Sequence, residues 1–329
     1  MSAVLVSSVP SEQVLILKGR FTHMNAGIKS YRRLAVSIAL IFGMVLISGL
    51  TSSLYAQALG WEGETGVFVT PLAYTASAEN QKIHPVVAYH YFNAGSIIGD
   101  FHEMSITMGI GKRLEFGYTH EFHAFGGDPN LSPLWQNGFE IVHGKAMLVP
   151  ENYKEEKWVP AISVGFMART NDRNVGNFEA TEGGMNPMSG GKSNGDIYFV
   201  ASKVVPTKIP IVLNFGVRGT NAMLWGMGGN APGWEARTFG AVAFVFKLPN
   251  KGSIVFGSEA AQQPHHPGAN GVALPLNIPT TLTYCMRVTP SGRQKLNLDF
   301  GVAQLAGNVA PGVNLKARHQ VGVQISYGF

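Results

Sequence analysis

From residue 86 to the end, apolar side chains return at every second position, in runs broken by Gly, Pro, Asn and Asp. A strand sends successive side chains to opposite faces, so such a run has one apolar and one polar or small face. The clearest is Lys295–Val302, where Leu296, Leu298, Phe300 and Val302 oppose Lys295, Asn297 and Asp299. Thr281–Val288 repeats it, with Leu282, Tyr284, Met286 and Val288 on the apolar side. The same reading covers Ile162–Arg169, Ile211–Arg218, Leu114–Thr119 and Val242–Leu248. Segments 86–92, 102–110, 139–149, 196–204 and 253–259 alternate less cleanly. Beyond residue 58 there is neither a sustained helical period nor the run of ~18 apolar residues that a membrane helix needs.

The connections alternate in length. Tight turns fall at Gly111–Arg113, Pro206–Pro210, Leu248–Gly252 and Thr289–Arg293, each with Gly or Pro where a turn needs special dihedrals. The junction at Pro150–Lys157 falls on the same side. Between them lie long Gly/Asn/Pro-rich stretches at 124–137, 170–194, 219–235, 260–278 and 305–313. Short turns at one end and long loops at the other predict a transmembrane up-and-down antiparallel β-barrel of about 12 strands (range about 10–14), an even number. Thr65–Pro71 is a further apolar stretch that does not fit the strand parity. The expected organisation is therefore an N-terminal extension and cleaved signal peptide at 1–58, a lead-in or plug at 59–82, and the barrel at 83–329.

The leader rests on Arg32-Arg33, the apolar run Leu34–Leu50 and the small-residue site Ala56-Gln-Ala58. It also explains the charge. The chain's net +5 falls to about +1 once Lys18, Arg20, Lys29, Arg32, Arg33 and Glu12 are set aside, so no nucleic-acid partner is expected. Cys285 is the single cysteine, which excludes an intramolecular disulfide.

The last residues, Val321 to Phe329, place Val321, Val323, Ile325, Tyr327 and Phe329 on one face. This resembles the C-terminal β-signal of bacterial outer-membrane β-barrels, whose assembly machinery reads a terminal Phe and alternate apolar residues. The resemblance implies export through the periplasm to a Gram-negative outer membrane. Its implied partners are membrane lipid, lipopolysaccharide, the β-barrel assembly machinery and a small-molecule solute.

If the apolar faces meet lipid, the charged alternates point inward. Glu115, Arg169, Asp196, Arg218, Arg237, Lys247, Glu259, Arg287, Lys295, Asp299 and Arg318 then line the lumen, seven basic and four acidic. Asp299 and Arg318 are expected to pair. Two readings stand side by side: an interior ion-pair network that fills the barrel, and a narrow polar pore with a mild preference for anions. The function expected is a channel or transporter for small polar or amphipathic solutes. The alternatives are a lipid-modifying outer-membrane enzyme and a structural or export-associated barrel with a filled interior.

Candidate chemistry is thin. His120 and His123 are three apart on a strand and face opposite sides, as do His102 and Ser105, so neither a metal pair nor a Ser/His dyad is expected. Gly190-Gly-Lys-Ser193 lacks the first glycine and the helix of a phosphate loop. No catalytic residue, metal or cofactor is expected.

Overall fold

The computed structural model describes residues 58–76, 83–129, 132–135, 138–170, 193–222, 224–226, 233–265, 278–292, 295–310 and 313–329. The signal peptide expected at 1–58 lies outside them, apart from Ala58. Twelve strands close into an antiparallel barrel. In chain order they are β1 (Ile83–Asn93), β2 (Gly99–Ile110), β3 (Leu114–Phe125), β4 (Phe139–Val149), β5 (Ala161–Thr170) and β6 (Ser193–Val205). There follow β7 (Ile211–Thr220), β8 (Glu235–Lys247), β9 (Ser253–Ala261), β10 (Thr281–Thr289) and β11 (Leu296–Gln304), and the last is β14 (Gln320–Gly328). Between β11 and β14, β12 (Ala306–Ala310) and β13 (Val313–Ala317) form a separate two-stranded hairpin. A single helical turn, α1 (Gly95–Ile98), joins β1 to β2.

Each strand pairs with its chain neighbour, and closure comes from β14 pairing with β1 on one side and β11 on the other. The seam runs from Val86 opposite Gly328 to Phe92 opposite Gly322. It extends to the last residue, because the Phe329 N–H donates to the Pro85 carbonyl at 3.0 Å. Closure leaves no free sheet edge in the barrel wall, which matters wherever no water can satisfy one.

Alternation sorts the side chains as the sequence pattern requires. Phe215 is 61 % exposed on the outer wall, whereas Asn214, its neighbour in β7, is 6 % exposed on the inner one. Phe116, Tyr118, Phe166, Phe199, Phe244, Phe256, Tyr284 and Phe300 all stand on the outer surface. So do Val321, Ile325, Tyr327 and Phe329 of the terminal strand. An apolar surface of this extent on the outside of a closed sheet is suited to an apolar surrounding rather than to water.

The inside is filled by the chain itself. Residues 58–76 lie against the inner wall, and Leu59, Phe68, Leu72, Ala73 and Ala76 are buried there. This segment is held by its own short bridges, Leu59 to Thr65 and Gly66 to Pro71, together with tight backbone turns such as Gly60 N–H to the Glu64 carbonyl at 2.6 Å. Residues 65–74 therefore sit within the lumen and outside the wall. Close approach depends on missing side chains. A Cβ at Gly322 would lie 2.5 Å from the Phe68 ring, and one at Gly63, whose φ is +91°, would lie 2.2 Å from Thr119 Oγ1.

Candidate functional site in the barrel lumen

The wall meets the inner segment through polar groups that alternation points inward. Glu115 on β3 accepts from the Thr65 N–H at 2.9 Å and from the Ala76 N–H at 2.7 Å. It is also paired with Lys145 of β4 at 3.0 Å, and Lys145 in turn donates to the Thr65 carbonyl at 2.9 Å. Across the barrel, Glu259 of β9 takes the N–H groups of Phe68, Val69 and Thr70 at 3.2, 2.7 and 2.8 Å, and the Thr70 hydroxyl at 2.6 Å. One buried carboxylate thus satisfies three consecutive backbone donors of a turn, where an unmet donor would be costly. Asn214 donates to the Pro71 carbonyl at 3.0 Å, and the Ser202 hydroxyl accepts from the Ala73 N–H at 2.8 Å.

A second cluster is ionic. Arg169 of β5 pairs with Asp196 of β6 at 2.5 Å and with Glu62 of the inner segment. Arg218 of β7 reaches Asp196 at 3.0 Å and Glu62 at 3.2 Å, and its guanidinium lies 4.0 Å from the centre of the Trp225 ring. Two guanidinium groups and two carboxylates thus neutralise one another out of contact with water, the condition under which buried charge is tolerated. Arg287 of β10 makes a two-pronged pair with Asp299 of β11, at 2.7 and 2.8 Å, and donates to the Val67 carbonyl at 2.8 Å.

Of the residues expected to line the lumen, Glu115, Arg169, Asp196, Arg218, Glu259, Arg287 and Asp299 meet there. Arg237 stands on the inward parity at the long-loop end of β8, bonded to the Gln263 carbonyl and to Glu235. Three expectations are corrected. Lys295 is exposed in the turn before β11, Arg318 is exposed in the bend before β14, and Lys247 is exposed at the last position of β8. Asp299 pairs with Arg287 in place of Arg318, because the register sets Arg287 of β10 directly opposite it, whereas β14 sets Gln324 there.

The expected excess of positive charge is reversed as well. Among the described residues, eight buried carboxylates face Lys145, Arg169, Arg218 and the partly buried Arg287. The difference comes from Glu62 and Glu64 of the inner segment and from Glu103 and Glu121, which sit directly opposite each other on β2 and β3. The clue lay in β2, where Glu103, Ser105 and Thr107 alternate with Met104, Ile106 and Met108. Strand β1 gives no such clue, since His90 alternates with tyrosines in a run apolar on both faces.

The remaining candidates stay apart. His102 stands on the outer face with its Nδ1 2.7 Å from the Tyr89 hydroxyl, while Ser105 faces inward against Thr119 at 2.9 Å. His120 lies 3.1 Å from Glu140, and His123 reaches the Ile98 carbonyl at 2.9 Å from the other face. Among the described residues no three His, Cys, Asp or Glu side chains converge in a way that would hold a metal ion.

No protein-family model and no curated protein matches the chain. Solved structures do. An outer membrane channel from Pseudomonas putida F1 is 10% identical, with 77% of this chain and 97% of that one covered at a TM-score of 0.43. The NanC porin is 8% identical over 74% of this chain and 98% of its own, at 0.42. The translocator domain of the autotransporter NalP from Neisseria meningitidis is 9% identical over 77% and 90%, at 0.39.

Proposed function

We propose that the chain is an outer-membrane channel or transporter for small polar or amphipathic solutes, held shut by residues 58–76. The observation that carries this reading is the way the inner segment is fastened. Its contacts with Glu115, Glu259, Arg169, Arg218 and Arg287 are hydrogen bonds and ion pairs. Water can replace such contacts when the segment shifts. The wall it would uncover is polar, as an aqueous path requires. The outer wall supports the location: its exposed aromatic and aliphatic side chains suit hydrocarbon, with lipopolysaccharide and lipid as surroundings. Val321, Val323, Ile325, Tyr327 and Phe329, outward on the strand that closes the barrel, are the positions an assembly machinery would read.

The experiment is conductance in a planar bilayer, with a disulfide to pin the segment. Ala73→Cys with Ser202→Cys joins it to the wall in a Cys285→Ser background, since the Ala73 N–H already meets the Ser202 hydroxyl. The unpinned protein is expected to conduct in discrete openings. The oxidised pair should be silent, and reductant should restore the current. An unpinned barrel that never conducts removes the channel reading; a pinned one that still conducts removes the gate.

A further inference from the structure

The outer wall carries acids and imidazoles over one patch only. Among the described residues of the wall strands, the outward carboxylate and imidazole side chains are Asp100, His102, His120 and Glu140, all on β2–β4. They lie toward the long-loop end. The register sets Tyr91, His102 and Phe122 in one outward row, and Tyr89, Met104, His120 and Glu140 in the next. Nearer the short turns, the same strands show Ile106, Met108, Phe116 and Val142 on the outside, all exposed. On β9, across the barrel, the outward alternates are Ile254, Phe256, Ser258 and Ala260.

The groups of this patch hold one another in place. The Tyr89 hydroxyl lies 2.7 Å from His102 Nδ1, and Asn93 Nδ2 donates to Asp100 at 2.7 Å. His120 Nδ1 lies 3.1 Å from Glu140, which also accepts from the Tyr118 hydroxyl. Each imidazole thus engages Nδ1 within the patch and turns Nε2 to a ligand. The rings are arrayed beside these groups. His102 is stacked on Phe122, 5.3 Å between centres and 5° between planes, with Tyr91 5.4 Å from His102 and His120 5.9 Å from Phe122. An interfacial girdle needs aromatic rings that straddle two solvents, and no more than that. Charged side chains on a lipid-facing wall are costly at mid-depth and cheap at the height of the headgroups. Two carboxylates and two imidazoles there supply donors and acceptors for which a girdle has no use.

We infer that this outward patch on β1–β4 binds the sugar headgroup of an outer-leaflet glycolipid. Sugar hydroxyls both donate and accept, and carboxylate, amide and imidazole groups answer them in both roles. The exposed face of Phe122 and the rings of Tyr89 and Tyr91 take the carbon-bound hydrogens of the sugar ring. A phospholipid fits less well, because no lysine or arginine stands in these rows to pair with its phosphate. The inference rests on the outer-membrane reading only for the lipid that the wall meets; the patch itself stands on alternation and register.

Full-length barrel in detergent micelles is mixed in turn with monogalactosyldiacylglycerol, truncated-core lipopolysaccharide, phosphatidylglycerol and phosphatidylethanolamine, and bound lipid is read by native mass spectrometry. Both glycolipids are expected to stay bound and both phospholipids to be lost. Phe122→Ala with Glu140→Gln should weaken glycolipid binding at least about tenfold, while Phe256→Ala, outward on β9, should leave it unchanged. Folding of each variant is checked by the gel shift on boiling and by far-ultraviolet dichroism. The site is overturned if the phospholipids bind as firmly as the galactolipid, if lipopolysaccharide binds and the galactolipid does not, or if the folded double variant binds both glycolipids as the parent does. A parent that is dimeric in micelles, with a monomeric double variant, would give the patch to a second copy of the chain and overturn the glycolipid. Glycolipid binding without any bilayer current overturns the channel and keeps the site. Current together with unaltered binding in the double variant overturns the site and keeps the channel.

Discussion

Two flanks of the same lumen handle buried charge in opposite ways. On β5–β7, Arg169, Arg218, Asp196 and Glu62 neutralise one another, with Trp225 stacked over the Arg218 guanidinium. On β1–β3, Glu103 and Glu121 stand buried and directly opposite each other, with His90 on the other side of Glu103. The first flank is a fastening, since its ion pairs bridge wall and inner segment. The second sets two buried carboxyl groups directly opposite each other within the wall, where like charge repels. Removing a carboxylate should therefore have opposite signs on the two sides.

The largest effect is expected from Glu62→Ala. It leaves two buried guanidinium groups against Asp196 alone, and breaking such a network costs about 3–5 kcal/mol. Urea unfolding in micelles should show the loss, and an unchanged midpoint would break the comparison. Next comes Glu259→Gln, which weakens an acceptor serving three N–H groups and a hydroxyl. About 2 kcal/mol is expected from the loss of charge-assisted bonds, together with greater protease access to residues 58–76.

A third measurement sharpens the comparison through pH. Burial, then the neighbouring Glu62, pushes the Glu64 carboxyl up from 4.5 to about 8. Between those values the folded state keeps a proton that the unfolded chain has lost, so stability falls as pH rises across that window and levels off above it. Glu64→Gln should flatten the slope; a parent protein with no slope from pH 5 to 8 would remove the buried carboxyl from the account. The smallest effect is Glu103→Gln. It relieves repulsion and is expected to leave stability unchanged or raise it by about 1 kcal/mol, read from the same urea midpoint. A loss comparable to that of Glu62→Ala would make the two flanks alike.

Much of the wall is visible in the chain. Alternation in Leu296–Val302 or Ile211–Arg218 assigns each residue a face, and turn chemistry at Gly111–Arg113 or Leu248–Gly252 assigns the short end. What alternation cannot supply is height and neighbour. Asp299 and Arg318 share a face in the pattern, yet pairing depends on the strand register that sets Asp299 against Arg287. Lys247 and Lys295 keep the inward parity but lie at strand ends, where parity no longer means enclosure.

The sequence by itself determined a closed antiparallel wall, its twelve strands, its outward apolar face and its long-loop end, because these follow from a two-residue period and the residues that interrupt it. Only the tertiary structure decided what fills the cylinder. Residues 58–76 have no period, so their side chains acquire an inside and an outside only when the wall surrounds them. The balance of lumen charge turned on that segment and on the register that brings Glu103 level with Glu121. Both are properties of strands meeting, which no single strand carries in its own order of residues.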